Sequence, residues 1–163
     1  RRMNRHFGEV FPEPEARLTE FPRFPGTDGR RMSKSLGNTI EISATEDEIR
    51  QKIRPAYTDP QRQRRSDPGN PEVCGVYAWY KMFLPEAAPE TAAECSTAAR
   101  GCVECKAQLA EGAIAYFAPL RERRARYEND PDLLDEIIAD GCARARAIAR
   151  QTMADVHAAM GIG

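Results

Sequence analysis

Composition breaks near residue 72. Through Pro71 the chain carries eight of its twelve prolines and only three alanines; beyond it lie four prolines and 21 alanines. Proline fixes φ and lacks a backbone donor, so a stretch dense in it supports neither long helices nor central strands. Alanine gives up least on entering a helix. The 163 residues must therefore divide into a loop-rich first part and a helical second part. That length suits one domain, or one and a half. Hydrophobic residues make up 41%, enough for a real core, and no apolar run approaches the ~18 residues of a membrane span. A formal net charge of −1 excludes a polycation, while 30% charged residues leave room for local basic patches. The chain opens RRMNRHFGEVF, with no apolar signal-peptide region. It reads as a chain entered partway through a structural element, a fragment or the second half of a longer enzyme. A complete gene product with a lost start would look the same.

Local signals place the elements. Residues 1–10 read as the tail of a helix, and 11–30 as Pro-punctuated chain with at most a short strand around Ala16–Glu20. Thr45 and Glu48 form a T-x-x-E capping box, predicting a helix over Glu46–Ile53 that Pro55 ends. Residues 55–71 are a polar connector rich in Arg and Pro. Asn70-Pro71 supplies a cap and an N1 proline for a helix to about Leu84. Pro89–Arg100 is the next helix, broken by Gly101. The following one runs from about Val103 to Tyr127, with Leu109, Ile114, Phe117 and Leu120 in a stripe. Asp130-Pro131 opens the last, to about Met160, whose Leu134, Ile137, Ile138, Ile148 and Val156 share roughly one face. Cys142 is expected to pack on that face, and His157 to lie on the surface. The pattern predicts a mainly α protein, an antiparallel helical bundle attached to the end of something else.

Arg31-Met32-Ser33-Lys34-Ser35 places two cations and two hydroxyls in five residues, flanked by Gly26, Gly29 and Gly37. When a nucleotide's α-phosphate is attacked, charge builds on the departing pyrophosphate. A flexible Lys ammonium can follow that charge while hydroxyls and backbone N–H groups donate to the oxygens. Taken alone, the same residues describe a solvated basic loop more readily, since short stretches rich in Lys and Ser are common.

The cysteines are five: Cys142 alone, and Cys74, Cys95, Cys102 and Cys105 within 32 residues, spaced C-x20-C-x6-C-x2-C. Without a secretory signal, a disulfide framework is a poor reading. Cys102 and Cys105, three apart at the start of a helix, share a face. The four can be separate buried thiols, a zinc site, or the ligands of a [4Fe–4S] cluster, which tolerates irregular all-cysteine spacing. Three groups of arginines complete the inventory: Arg62, Arg64 and Arg65; Arg121, Arg123, Arg124 and Arg126; and Arg144, Arg146 and Arg150. Each is either a solvated face or a phosphate-contacting patch.

The string PGTDGRRMSKSLGNTI resembles the KMSKS signature of class I aminoacyl-tRNA synthetases, in its tryptophanyl-tRNA synthetase form. TDPGNPEVC-like segments, GCVECK, RERRARYENDP and ARARAIARQTM extend the resemblance over nearly the whole chain. It implies the last, loop-rich part of a Rossmann-type catalytic domain over 1–43 and a helical anticodon-binding domain over 44–163. It implies a tryptophan–tRNA ligase using ATP and Mg²⁺, acting on tryptophan and tRNA(Trp), cytoplasmic and homodimeric at full length. Lys34 then matches the ATP-contacting lysine, Arg31 replaces a first lysine, Ser33 and Ser35 match the motif hydroxyls, and Met32 the residue packed beneath the loop. The HIGH-like motif of that family is absent, as neither His6 nor His157 stands in one. The 163 residues alone are therefore expected to be inactive. The cysteine spacing resembles the iron–sulfur subset of the family, with a first gap two residues shorter, and assigns Cys74, Cys95, Cys102 and Cys105 to a [4Fe–4S] cluster, with zinc as the alternative. A stand-alone Fe–S or zinc RNA-binding module without catalysis, with RMSKS as a remnant, is the second reading. A tyrosine enzyme is a third, since amino-acid selection lies outside these residues.

Overall fold

The computed structural model describes residues 1–162 and is mainly helical. Six α-helices run in the order α1 (Arg2–Phe7), α2 (Glu46–Ile53), α3 (Gly75–Phe83), α4 (Ala88–Ser96), α5 (Cys102–Glu128) and α6 (Pro131–Met160), with single 3-10 turns at Lys34–Leu36 and Pro71–Val73. No strand forms among the described residues; the one β-type contact is an isolated antiparallel bridge between Pro25 and Arg31. The short strand expected around residues 16–20 is therefore not formed, for want of any strand to pair with. No helix among the described residues is long and apolar enough to cross a membrane.

Side-chain caps open α2, the Pro71–Val73 turn and α6. At α2 the Thr45 side chain accepts from the Glu48 backbone N–H (3.3 Å), and the Glu48 carboxylate accepts from the Thr45 N–H (2.7 Å), closing the capping box. Asn70 accepts from the Glu72 N–H at 3.0 Å and starts the Pro71–Val73 turn, which leads into α3. Asp130 accepts from the Leu133 N–H at 3.0 Å, Pro131 follows, and α6 runs thirty residues to Gly161 in the left-handed conformation.

Packing divides the chain into two compact units, residues 19–124, and residues 1–18 together with those from 125 onward. The larger holds the core: Ile49 and Ile53 from α2, Val76, Trp79 and Tyr80 from α3, and Leu109, Ala110, Ala113, Ile114 and Phe117 from α5. Burying each large side chain contributes roughly 1.5–3 kcal/mol. Two bonds tie α2 into place. Arg50 pairs with Glu111 of α5 at 2.9 Å, and Lys52 Nζ donates to the Thr39 carbonyl at 2.7 Å. In the smaller unit, the Asn4 side chain closes the turn after α1, accepting from Val10 and Phe11 N–H and donating to the Phe11 carbonyl.

α6 departs from expectation. None of its residues is buried. Ile148 is 71% exposed, and Leu134, Ile137 and Ile138 are exposed as well. Cys142 is likewise exposed rather than packed. The smaller unit's other segment supplies few apolar side chains, and Phe7 and Phe11 there are themselves exposed. His157 is exposed, as expected.

Urea unfolding should rank three substitutions. Leu109→Ala, at a fully buried site, is expected to cost about 2–5 kcal/mol. Thr45→Ala should cost about 1 kcal/mol through the lost cap. Ile148→Ala should stay within about 0.5 kcal/mol. The backbone N–H of Thr45 holds the Glu48 carboxyl below the usual carboxylate range. Its stabilisation is therefore full above the ordinary Glu pKa and fades as pH falls through the depressed value.

Candidate functional site

The RMSKS segment stands on a rigid root. Gly26 N–H donates to the Arg30 carbonyl (2.7 Å) and Gly29 N–H to the Gly26 carbonyl (3.0 Å), folding residues 26–30 into a tight turn. Gly29 has φ +79°, and a Cβ there would lie 2.7 Å from the Tyr57 ring, so glycine is required twice over. Asn38, 3% exposed, organises the rest. Its amide nitrogen donates to Asp28 Oδ1 (2.8 Å) and to the Arg31 carbonyl (3.1 Å), and its amide oxygen accepts from Ser33 N–H (2.7 Å). Its backbone carbonyl accepts from Thr27 N–H at 3.0 Å. A Cβ on Gly26 would collide with the Asn38 amide. The Asn38 hydrogen bond, with Arg30 adding to it, holds the Asp28 carboxyl below the usual range. Asn38 and Asp28 escaped the sequence reading; the only signal was an Asn directly after Gly37.

From that root the five motif residues diverge. Met32 is partly buried and packs against the core. Lys34 begins the 3-10 turn that Gly37 ends at φ +64°. Ser33 Oγ and Ser35 Oγ are 2.9 Å apart. Arg31, Lys34 and Ser35 are exposed, and among the described residues Lys34 has no ion-pair partner. Arg31 and Met32, with Arg23, Phe24 and Arg30, line an open cleft of about 770 Å³. A hydrogen-bonded loop base thus presents exposed cations beside a pair of hydroxyls, an arrangement suited to phosphate oxygens.

The cysteines gather elsewhere in the larger unit. Cys74 caps α3, Cys95 lies in the last turn of α4, and Cys102 and Cys105 open α5. All four are partly buried. Burial raises the Cys95 thiol, against the opposing charge of Arg62, and the Cys74 and Cys102 thiolates add to the rise. Burial pushes Cys105 up to about 11, and Cys74 and Cys95 contribute there too. The four sulfurs therefore share one locality. They are not drawn tightly together: among the described residues no three His, Cys, Asp or Glu side chains are grouped to hold a metal ion. A lone zinc with Zn–S bonds of about 2.3 Å would need its sulfurs about 3.8 Å apart. Soft all-sulfur donors suit zinc or iron–sulfur groups.

The connector between residues 59 and 70 wraps this locality. Asp59, 5% exposed, accepts from Gln61 N–H (2.9 Å) and Asn70 N–H (2.8 Å). Gly69 N–H donates to the Cys95 carbonyl at 2.9 Å, and a Cβ on Gly69 would lie 2.5 Å from Cys95 Sγ. Arg62 donates to Cys95 Sγ at 3.7 Å. It belongs to the thiol locality and not to a solvated basic patch. Other arginines of the expected patches are also engaged. Arg121 donates to the Ile114 carbonyl (3.1 Å) and approaches Glu46 at 3.8 Å, Arg123 donates to the Pro119 carbonyl (3.3 Å), and Arg144 pairs with Asp140 (2.9 Å).

If Asn38 is the clamp of the loop, Asn38→Ala should hasten tryptic cleavage after Arg30, Arg31 and Lys34 several-fold, with cleavage in α5 unchanged. Mass spectrometry of timed digests reads both. Equal rates at the loop would show that the Gly26–Arg30 turn holds without it.

The chain matches the model of the family described as tRNA synthetases class I (W and Y) over residues 1–118. It is 42% identical to the tryptophan–tRNA ligase of Aquifex aeolicus, across 99% of this chain and 42% of that protein. It is 44% identical to that of Thermotoga maritima, across 99% of this chain and 50% of that protein. Among solved structures, tryptophanyl-tRNA synthetase from Campylobacter jejuni, complexed with ADP and tryptophan, superposes with a TM-score of 0.78 at 33% identity, over 98% of this chain and 50% of that one. The chain thus spans about half the length of the relatives it matches.

Proposed function

Because the chain belongs to the class I tRNA synthetases of the tryptophan and tyrosine family, we propose that it supplies the RMSKS loop and the tRNA-binding helices of a tryptophan–tRNA ligase. The relatives covering nearly all of it carry that name. The observation that carries the reading is an exposed Lys34 on a loop whose base is locked into the core through Asn38 and Met32. In the full enzyme ATP and tryptophan would give the aminoacyl-adenylate and pyrophosphate, and the tryptophanyl group would pass to a terminal hydroxyl of tRNA(Trp). Lys34 follows the charge developing on the pyrophosphate. Ser33 and Ser35 donate to phosphate oxygens, Arg31 adds a second cation, and Met32 packs beneath the loop near the base. Mg²⁺ enters with the triphosphate. Residues 1–43 close the catalytic domain and 44–163 form the tRNA-binding domain of a cytoplasmic homodimer.

ATP–pyrophosphate exchange tests this. The 163 residues alone should show none, since they carry no HIGH-like motif. Joined to the upstream half of the enzyme they should be active, and Lys34→Ala should lower the rate at least about 100-fold. Adenylate formation by the chain alone, or an indifferent Lys34, would refute the assignment. The same joined enzyme, inactive but still binding tRNA, would favour the stand-alone RNA-binding module.

For the thiols we propose a [4Fe–4S] cluster held by Cys74, Cys95, Cys102 and Cys105. Its contribution is mechanical, cross-linking α3, α4 and α5 where they meet. The donor set and the shared locality support it, as does Arg62, a fixed positive charge beside sulfurs that bind metal as thiolates. Anaerobic purification should give a brown protein with equal iron and sulfide; a colourless protein with one zinc per chain would replace the cluster by the ion.

A further inference from the structure

Arg62 sits in the middle of a connector that looks like solvent-facing chain, yet both terminal nitrogens of its guanidinium are engaged. Nη1 donates to Cys95 Sγ at 3.7 Å. Nη2 donates to two carbonyls, Arg65 at 2.9 Å and Arg100 at 2.8 Å. The first belongs to the connector and the second to the turn ahead of α5, so the fork spans the sulfur locality. Nε is buried and has no hydrogen-bond partner among the described residues. A buried N–H without an acceptor is costly, and guanidinium, unlike ammonium, cannot shed its proton to escape the cost. The backbone is shaped to deliver it: Asp59 pins the connector, its carbonyl accepts from Arg62 N–H at 3.3 Å, and Gly69 lets the strand of chain lie against the sulfur.

We propose that Arg62 is a positioning and charge-balancing residue for the thiolate-bound group at Cys74, Cys95, Cys102 and Cys105, holding Cys95 Sγ and offering its buried Nε–H to a sulfur. The proposal rests on the four-cysteine reading above. Four metal-bound thiolates bring several negative charges into a partly desolvated site, and one permanent cation with directional donors offsets them where a mobile lysine would not. Its place in the thiol site also removes Arg62 from any RNA-facing patch.

The test compares the wild-type chain with Arg62→Gln, Arg62→Lys and, as a control removing one exposed cation in the same unit, Lys81→Gln. Each is reconstituted anaerobically with ferric iron, dithiothreitol as reductant, and sulfide. Iron per chain, the rate of bleaching by EDTA and the reduction potential are then measured. Arg62→Gln should lose iron about 10- to 100-fold faster, and its potential should fall, because a lost positive charge disfavours the added electron. Arg62→Lys should restore part of the potential but not the retention, and Lys81→Gln should match the wild type. A merely structural arginine would instead lower the melting temperature before reconstitution and leave the potential unmoved. Wild-type loading with unchanged retention and potential in Arg62→Gln overturns the proposal while sparing the cluster. A wild-type chain that takes up neither iron nor zinc overturns both. If it takes up zinc alone, a tenfold loss of zinc retention in Arg62→Gln supports the role and equal retention overturns it.

Discussion

Trp79 and Tyr80, neighbours on α3, are both essentially buried, and each carries a polar tip that must find a partner. The indole N–H donates to the Pro25 carbonyl at 3.0 Å, at the root of the RMSKS loop. The phenol donates to the Cys105 carbonyl at 2.8 Å, in the first turn of α5. Leaving either donor unanswered in the core costs about 1–3 kcal/mol. The core therefore cannot form without drawing the root of the RMSKS loop and the first turn of α5 into register. One nine-residue helix fixes the base of the RMSKS loop and one wall of the thiol locality. Phe24 stacks on Trp79 at a centroid distance of 5.7 Å, so the motif's approach is held by ring contact as well as by the hydrogen bond.

This division of labour matters for the chemistry proposed. Positioning a triphosphate demands a base that does not move and a tip that can. The base is over-determined by Trp79, by Asn38 with its three side-chain hydrogen bonds, and by Met32 in the core. The tip is a single 3-10 turn between Ser33 and a left-handed Gly37, with Lys34 in solvent. The loop's hydrogen bonds and core contacts thus concentrate at its base, while Lys34 at the tip is exposed, as the proposed role requires.

What could be read from the sequence was what local chemistry decides. The capping box at Thr45 and Glu48 and the Asp130-Pro131 pair each involve residues within one turn of one another, and α2 and α6 begin as they indicate; the Asn70-Pro71 pair opens only the 3-10 turn Pro71–Val73, and α3 starts later, at Gly75, because Cys74 is extended. The stripe Leu109, Ile114 and Phe117 was legible because a helix with that face has little choice but to bury it. The exposure of Leu134, Ile137 and Ile148 was not, because an apolar face predicts burial only if something covers it. Asn38 and Arg62 were hidden for the same reason in reverse. A polar residue in a loop carries no period, and its importance comes from partners at Asp28, Arg31, Cys95 and Arg100 that only the folded chain assembles.

Arg62 shows how such a residue changes the reading of a whole segment. Counted by charge, Arg62, Arg64 and Arg65 make a basic patch. By geometry, the first is turned inward by two carbonyls and a sulfur, and the patch loses one of its three members. The connector is then a wall of the thiol site, which accounts for features a tether would not need: a buried Asp59 that binds two backbone N–H groups, and a glycine at the one position where a side chain would strike Cys95. A segment that merely joined α2 to α3 could be of any length and composition. One that must hold a cation against a sulfur is fixed at both ends, so residues 59–70 should constrain the site as strictly as the cysteines themselves.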